Sequence, residues 1–324
     1  MSKKKYSNIN QSSNIELKKI SSINKHKDWV RTVKIFPSGN IISVSDDRSI
    51  NIFDGFNYKI IQNIPDAHED YIINLSIKDE NNFATCSKDC CINIWTKKDK
   101  KKYIKYKTII KAHNLIINNL IYLLNNKIIS SSEDNTMKIW ELSNNEYHLL
   151  TSIKIKANYN NKNKSLASLL LLKNKNILVS AGENGTFFWK INKKEMSIIK
   201  FICHLINAIC TSFNGLKRID EDRIIMGNKE ELNIISIKNK KIIKYINIPF
   251  QCNGITIIKE KGIFLLGGWS NDIRIYRNDN YEYLSTIKNA HGNNIVGFCQ
   301  LKNGLFLSFS GDTTMKIWSI IKSN

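Results

Sequence analysis

The stretch SEDNTMKIW, Ser132 to Trp140, returns almost unchanged as SGDTTMKIW, Ser310 to Trp318, 178 residues further along the chain. Thr, Met, Lys, Ile and Trp keep their order, and an Asp stands six residues before each Trp. A match of this length points to a duplicated structural unit, and four steps of about 44.5 residues carry one copy onto the other. Five further endings of the same type stand in register. The seven are RSINIFD at Phe53, CCINIWT at Trp95, NTMKIWE at Trp140, GTFFWKI at Trp189, ELNIISI at Ile235, NDIRIYR at Tyr276 and TTMKIWS at Trp318, spaced by 42, 45, 49, 46, 41 and 42 residues.

Each ending alternates β-branched and aromatic residues, which is strand chemistry. Upstream of most lies a second strand closed by small residues, such as NIISVS, NFATCS, KIISSS and GLFLSFS, and the short polar run between the two reads as a hairpin turn. No stretch keeps a helical period, so the chain reads as all-β.

Composition bounds the function. At 324 residues with 42% hydrophobic, the chain exceeds the roughly 250 to 300 residues at which one core stops growing, which favours two domains or a repeat architecture. The seven cysteines are scattered without zinc-ligand spacing and read as buried thiols of a reducing compartment. No secretory apolar core follows the basic start, and the longest apolar runs, LASLLLL and IFLLGG, are too short to span a bilayer. The expected location is inside the cell, in the cytoplasm, with the nucleus also open. The net charge of +21 suggests an anionic partner, but only six of the 49 basic residues are Arg. Arg is the usual tool for bidentate phosphate and base contacts, so a Lys-dominated excess is weaker support for nucleic-acid binding.

A second marker runs in phase. His26, His68, His113 and His291 each precede an Asp by 21 residues, namely Asp47, Asp89, Asp134 and Asp312. Ser or Thr occupies the second and fourth positions before each Asp: Ser43 and Ser45, Thr85 and Ser87, Ser130 and Ser132, Ser308 and Ser310. Buried polar groups must be satisfied locally. The His, the hydroxyl, the Asp and the indoles of Trp95, Trp140 and Trp318 can do this for one another, so these residues form an expected structural staple.

The order His, Ser/Thr, Asp, Trp at this period resembles the WD-repeat family of β-propellers. The resemblance implies a single seven-bladed propeller of four-stranded antiparallel blades. The outer-strand pattern of NIELKKISSI, Asn14 to Ile23, and the mere six residues after Trp318 imply that the N-terminal strand closes the last blade. The expected layout is a polar tail over 1–13, the propeller over 14–320 and a short tail over 321–324. Repeats four to six depart from the pattern. Asn184, Lys229 and Ser270 stand at the Asp position, and only His204 remains of the histidines, so these blades are expected to rest on apolar packing alone. The longest insertion, residues 154 to 165, falls between blades three and four.

Four spacing-identical copies of His, Ser and Asp read as a scaffold and not as a catalytic triad, which needs one exposed nucleophile in a cleft. No phosphate-binding Gly loop is present. The expectation is a protein that is not an enzyme, without cofactor or metal. The family resemblance implies a scaffold or adaptor that binds other proteins, as a subunit of a complex, at the face where the channel narrows. That face would carry the residue three after each His (Trp29, Tyr71, Ile116, Asn207, Asn294) and the residue before each Asp position (Asp46, Lys88, Glu133, Glu183, Asn228, Trp269, Gly311). Trp29, Tyr71 and Trp269 stand out, because large aromatics dominate interface energetics. The turns on the other face gather lysines, including Lys97, Lys98, Lys100, Lys101 and Lys102, Lys217 with Arg218, and the runs near 173, 192 and 238. They are the basis of an alternative role on RNA, ribonucleoprotein or anionic lipid. Two subtype marks implied by the family are missing: no adjacent arginines of the phosphoinositide-binding kind, and no Trp-Asp-x-Arg of the cullin-adaptor kind at the seven endings.

Overall fold

A computed structural model of the chain describes residues 15–99, 102–123, 125–155, 165–192, 198–212 and 214–322. The described residues form seven four-stranded antiparallel sheets, and in six of them the four strands follow chain order from the innermost to the outermost. The seventh sheet is made from both ends of the chain. Ile15–Asn24 pairs along Thr314–Lys322, from Ile15 opposite Lys322 to Asn24 opposite Thr314. The fourth strand of this sheet is thus supplied by the beginning of the chain, and each of the seven sheets has four strands among the described residues. Two single turns of 3₁₀ helix, Lys173–Lys175 and Lys259–Lys261, are the helical content among the described residues, and neither is long enough to cross a membrane. The expected tail over 1–13, residues 323–324 of the expected tail over 321–324, and most of the insertion between blades three and four lie outside the described residues, whereas Ile321 and Lys322 belong to the strand Thr314–Lys322.

The burial pattern follows from the sequence pattern. Second strands are buried end to end, as in Ile41–Ser45 and Lys127–Ser132, whereas outer strands such as Ile60–Ile64 are largely exposed. The apolar residues assemble into seven clusters, one at each junction between neighbouring blades. Phe36, Ile42, Ile50, Phe83 and Trp95 join blades one and two, and Ile23, Val33, Phe53, Leu307 and Met315 join blades seven and one. Every blade therefore buries both faces, which is why its polar side chains need internal partners.

Polar side chains also stitch the innermost strands to one another around a central channel. Thr32 donates to the Ile73 carbonyl at 3.1 Å, Asn74 to Asn118 at 3.3 Å, Asn118 to Leu166 at 3.1 Å and Ser168 to Ser212 at 2.8 Å. Ser212 continues the series by donating to Asn253. Blade five breaks the regularity. Its innermost strand is only Leu216–Arg218, and the irregular backbone before it leaves Asn214 reaching across the channel. There its amide donates to Val296 of blade seven at 3.3 Å and to Arg31 of blade one at 3.2 Å. Asn214 lines a cavity on each side and so divides the channel into two mouths.

Two expectations need correction. Lys217 and Arg218 lie not in a surface turn but in that short innermost strand. Of the seven cysteines, all unpaired, Cys86, Cys210 and Cys252 are buried, whereas Cys90, Cys91, Cys203 and Cys299 are only half-buried.

Candidate functional site

The loops on one face carry the repeated polar set. In blade two, His68 Nδ1 lies 2.8 Å from Asp89 and Nε2 lies 2.8 Å from Thr85, whose hydroxyl accepts from the Trp95 indole at 2.9 Å. Blade three repeats this with His113, Asp134, Ser130 and Trp140, and blade seven with His291, Asp312, Ser308 and Trp318. Blade one has His26, Asp47 and Ser43, but Phe53 replaces the indole and Asn51 approaches the imidazole at 3.2 Å. Each Asp also accepts two backbone N–H groups. One comes from the residue after the His, as in Glu69 to Asp89 at 3.1 Å, and one from two residues onward, as in Cys91 to Asp89 at 2.9 Å. The turn this creates holds Arg48, Cys90, Asn135 and Thr313 at φ between 65° and 69°, the left-handed region that only Asn among them adopts readily.

Burial alone would push these carboxyls up. The His hydrogen bond and charge, with the donors around the turn, overrule it and hold Asp47, Asp89, Asp134 and Asp312 below the usual carboxylate value. Burial lowers the imidazoles of His113 and His291, despite their aspartates.

Blades four to six do not rest on apolar packing alone, contrary to expectation. Trp189 still donates to Ser180 at 2.9 Å, and Thr186 donates to Ala208 at 2.6 Å. In blade five, Ser236 bonds Asp222 at 2.8 Å, and in blade six Asp272 accepts from the Asn289 backbone at 2.8 Å. His204 is not a repeat-starting histidine. It lies on the outer strand of blade four, stacked 4.0 Å from Phe187, and contacts the Asn184 carbonyl at 2.7 Å.

The same backbone geometry brings the two predicted surface sets side by side. Asp46 N–H donates to Trp29, Lys88 to Tyr71, Glu133 to Ile116 and Gly311 to Asn294, each at 3.0 Å. Trp29 and Trp269 then converge on one cavity of about 270 Å³, the channel mouth on this face, with Arg31, Thr211, Gln251 and Asn253. Trp269 is 62% exposed. Trp29 is half-buried and lies flat against Gly311, where a Cβ would come within 2.7 Å of its ring. Arg31 packs 4.9 Å over the Trp29 ring and forms a two-point ion pair with Asp46.

Asp46 was expected on the surface but is buried beneath that pair. Tyr71, 39% exposed, stands apart from the mouth with Lys88 4.8 Å over its ring. Glu133 and Glu183 face one another from blades three and four, and burial with the Glu183 charge raises the Glu133 pKa. The sequence reading missed Arg31, Thr211, Gln251 and Asn253. Arg31 alone offered a signal, as a rare Arg in a Lys-rich chain. The Thr211 hydroxyl is buried without a hydrogen-bond partner among the described residues. On the opposite face, Lys97 and Lys98 end one strand of blade two and Lys102 begins the next, while Lys100 and Lys101 lie outside the described residues.

Comparison with known proteins agrees with this geometry. The family described as WD domain, G-beta repeat matches residues 17–54, 59–96 and 104–141, each match running from the outer strand of one blade through the three inner strands of the next. DDB1- and CUL4-associated factor 10 of Homo sapiens is 29% identical over 107 residues, covering 32% of this chain and 19% of that protein. The same protein of Xenopus tropicalis is 29% identical over 107 residues, 32% of this chain and 23% of that one. Lissencephaly-1 homolog 1 of Paramecium tetraurelia is 35% identical over 75 residues, 23% of this chain and 18% of that one. The chain thus spans less than a quarter of the length of these relatives. Three repeats matched by the family pattern stand at the front of seven four-stranded blades built on one plan, so the chain carries WD repeats within a seven-bladed β-propeller.

Proposed function

We propose that the protein is a non-catalytic scaffold that holds a partner protein at the channel mouth framed by Trp29 and Trp269. The carrying observation is the exposed Trp269 beside a cavity of about 270 Å³. An exposed indole next to a polar-floored pocket is the kind of feature that anchors a partner side chain. The unpartnered Thr211 hydroxyl in the pocket wall would gain a hydrogen bond from such a side chain. The repeated His, Ser and Asp groups are committed to one another, which supports a structural and not a catalytic role for them. The relatives described as associated with DDB1 and CUL4 support a role of the same general kind, in which the propeller is one member of an assembly.

The test is affinity purification of the full chain followed by variants. Trp269→Ala alone, and Trp29, Tyr71 and Trp269 to Ala together, should lose the main partner. Changing Lys97, Lys98, Lys100, Lys101 and Lys102 to Gln should retain it. Since Trp29 also packs on Gly311, the single Trp269 variant separates lost binding from lost folding. If the lysine variant alone fails, the lysine-rich turns and not the tryptophans carry the interaction.

A further inference from the structure

The second mouth of the channel, on the side of Asn214 away from the tryptophans, has a different chemistry. It opens on a cavity of about 410 Å³, whose walls include Lys34, Lys217, Asn119, Leu120 and Leu169. Lys34 and Lys217 also line the adjoining recess of about 360 Å³, with Lys259 and Cys299. Among the described residues, neither the Lys34 nor the Lys217 amine has a hydrogen bond or an ion pair. The acid of the recess, Glu260, is held by the Gln300 amide at 3.2 Å, and Arg218 is taken by Glu221. Burial and the Lys34 charge lower the Lys217 amine to about 8, with the Cys299 and Cys210 thiols as weaker opposing influences. Two uncompensated ammonium groups facing one walled cavity cost energy unless an anion joins them.

We propose that this mouth is a binding site for a small phosphorylated molecule, with its phosphate between Lys34 and Lys217 and its remainder against Leu120 and Leu169. A phosphate monoester near neutral pH carries close to two charges, enough to match both amines, whereas a carboxylate leaves one unmatched. The inference is independent of the partner-binding proposal, which uses the other mouth.

Pyridoxal 5′-phosphate is a suitable probe for the full-length protein, because its phosphate can occupy the anion position while its aldehyde meets an amine. The neutral Lys217 amine adds to the aldehyde carbon and water leaves to form the imine. Borohydride then delivers hydride to that carbon, a solvent proton completes the amine, and the label is fixed for peptide mapping. Lys217 or Lys34 should be labelled ahead of the surface lysines. Inorganic phosphate or glycerol 3-phosphate at ten times its Kd should slow that labelling about tenfold by simple occupancy. Matched chloride should not.

Lys217→Met and Lys34→Met should each raise the thermal midpoint without phosphate, by removing the repulsion, and should abolish the rise that phosphate gives the parent protein. If either variant fails to fold, the labelling competition on the unaltered protein decides. Labelling spread evenly over surface lysines, or no protection by phosphate and its monoester, would overturn the proposal. Protection only by an oligonucleotide, or only by vesicles containing phosphatidic acid, would also overturn it and assign these lysines to a polymer or a membrane surface.

Discussion

The carboxylates of Asp89, Asp134 and Asp312 can only accept, so their imidazole partners must carry the proton on Nδ1 and receive the Ser or Thr hydroxyl at Nε2. The result is a one-way series from indole to hydroxyl to imidazole to carboxylate in blades two, three and seven. Replacing any one of these Asp residues by Ala leaves a buried imidazole and backbone donors unpaired. Each change should cost about 1 to 3 kcal/mol, read as a lower denaturation midpoint. An unchanged midpoint with lost partner binding would move the residue from scaffold to site.

The same groups set a pH dependence. His113 and His291 lie below their ordinary 6.5 in the folded protein, so the unfolded chain takes up protons first as pH falls through that value. Stability is therefore retained above pH 6.5 and lost beneath it. Asp134 and Asp312 lie below their ordinary 3.8 and add a second loss as pH falls through that range. A melting midpoint that drops between pH 7 and 5 is expected, and one that rises there would contradict the assignment. This quartet was legible in the sequence because polar residues inside an apolar strand pattern recur at fixed spacing. The Arg31 to Asp46 pair and the crossing by Asn214 were not, since each occurs in one blade only and has no repeat to reveal it.

Strands carry their own lesson. The seven Trp-type endings could be placed because β-branched alternation and a period of about 44 residues reinforce one another. The closing strand could be placed because NIELKKISSI has the pattern of the outer strands and leads straight into His26. Ile15–Asn24 lies along Thr314–Lys322 and also accepts a hydrogen bond at Ile15 from Ser285 of blade six at 2.9 Å. Deleting residues 1 to 23 should strip that edge, expose the Thr314–Lys322 backbone and cause association through it. Size-exclusion chromatography and melting of the truncated chain test this; a monomer as heat-stable as the parent would refute it. Blade five resisted reading for a physical reason. HLINAICTSFNG is apolar enough for a strand throughout, but the strand of blade four ends at Leu205, residues 206–212 form none, and Asn214 bonds two other blades instead. His204 was misread for a related reason, because it belongs to the outer strand of blade four and not to the loop that follows.

Across the whole molecule, seven similar blades make a nearly symmetric body, and the departures from symmetry mark where the two mouths differ. Blades one, five, six and seven supply the tryptophans, the glycine beneath Trp29 and the irregular strand of the first mouth, whereas the second is cationic. The regular blades are legible as repeats, while these features are single substitutions in a repeat and acquire meaning only once the blades are placed around the channel. The central claim is that the tryptophan mouth receives the partner, and hydroxyl-radical footprinting of the protein with and without its purified partner tests it most directly. Trp269 should lose most of its reactivity on complex formation and Trp29 part of it, while the exposed outer-strand residues Tyr245 and Tyr283 keep theirs. Unchanged oxidation of Trp269, with protection centred on Lys97, Lys98 and Lys102, would contradict the account.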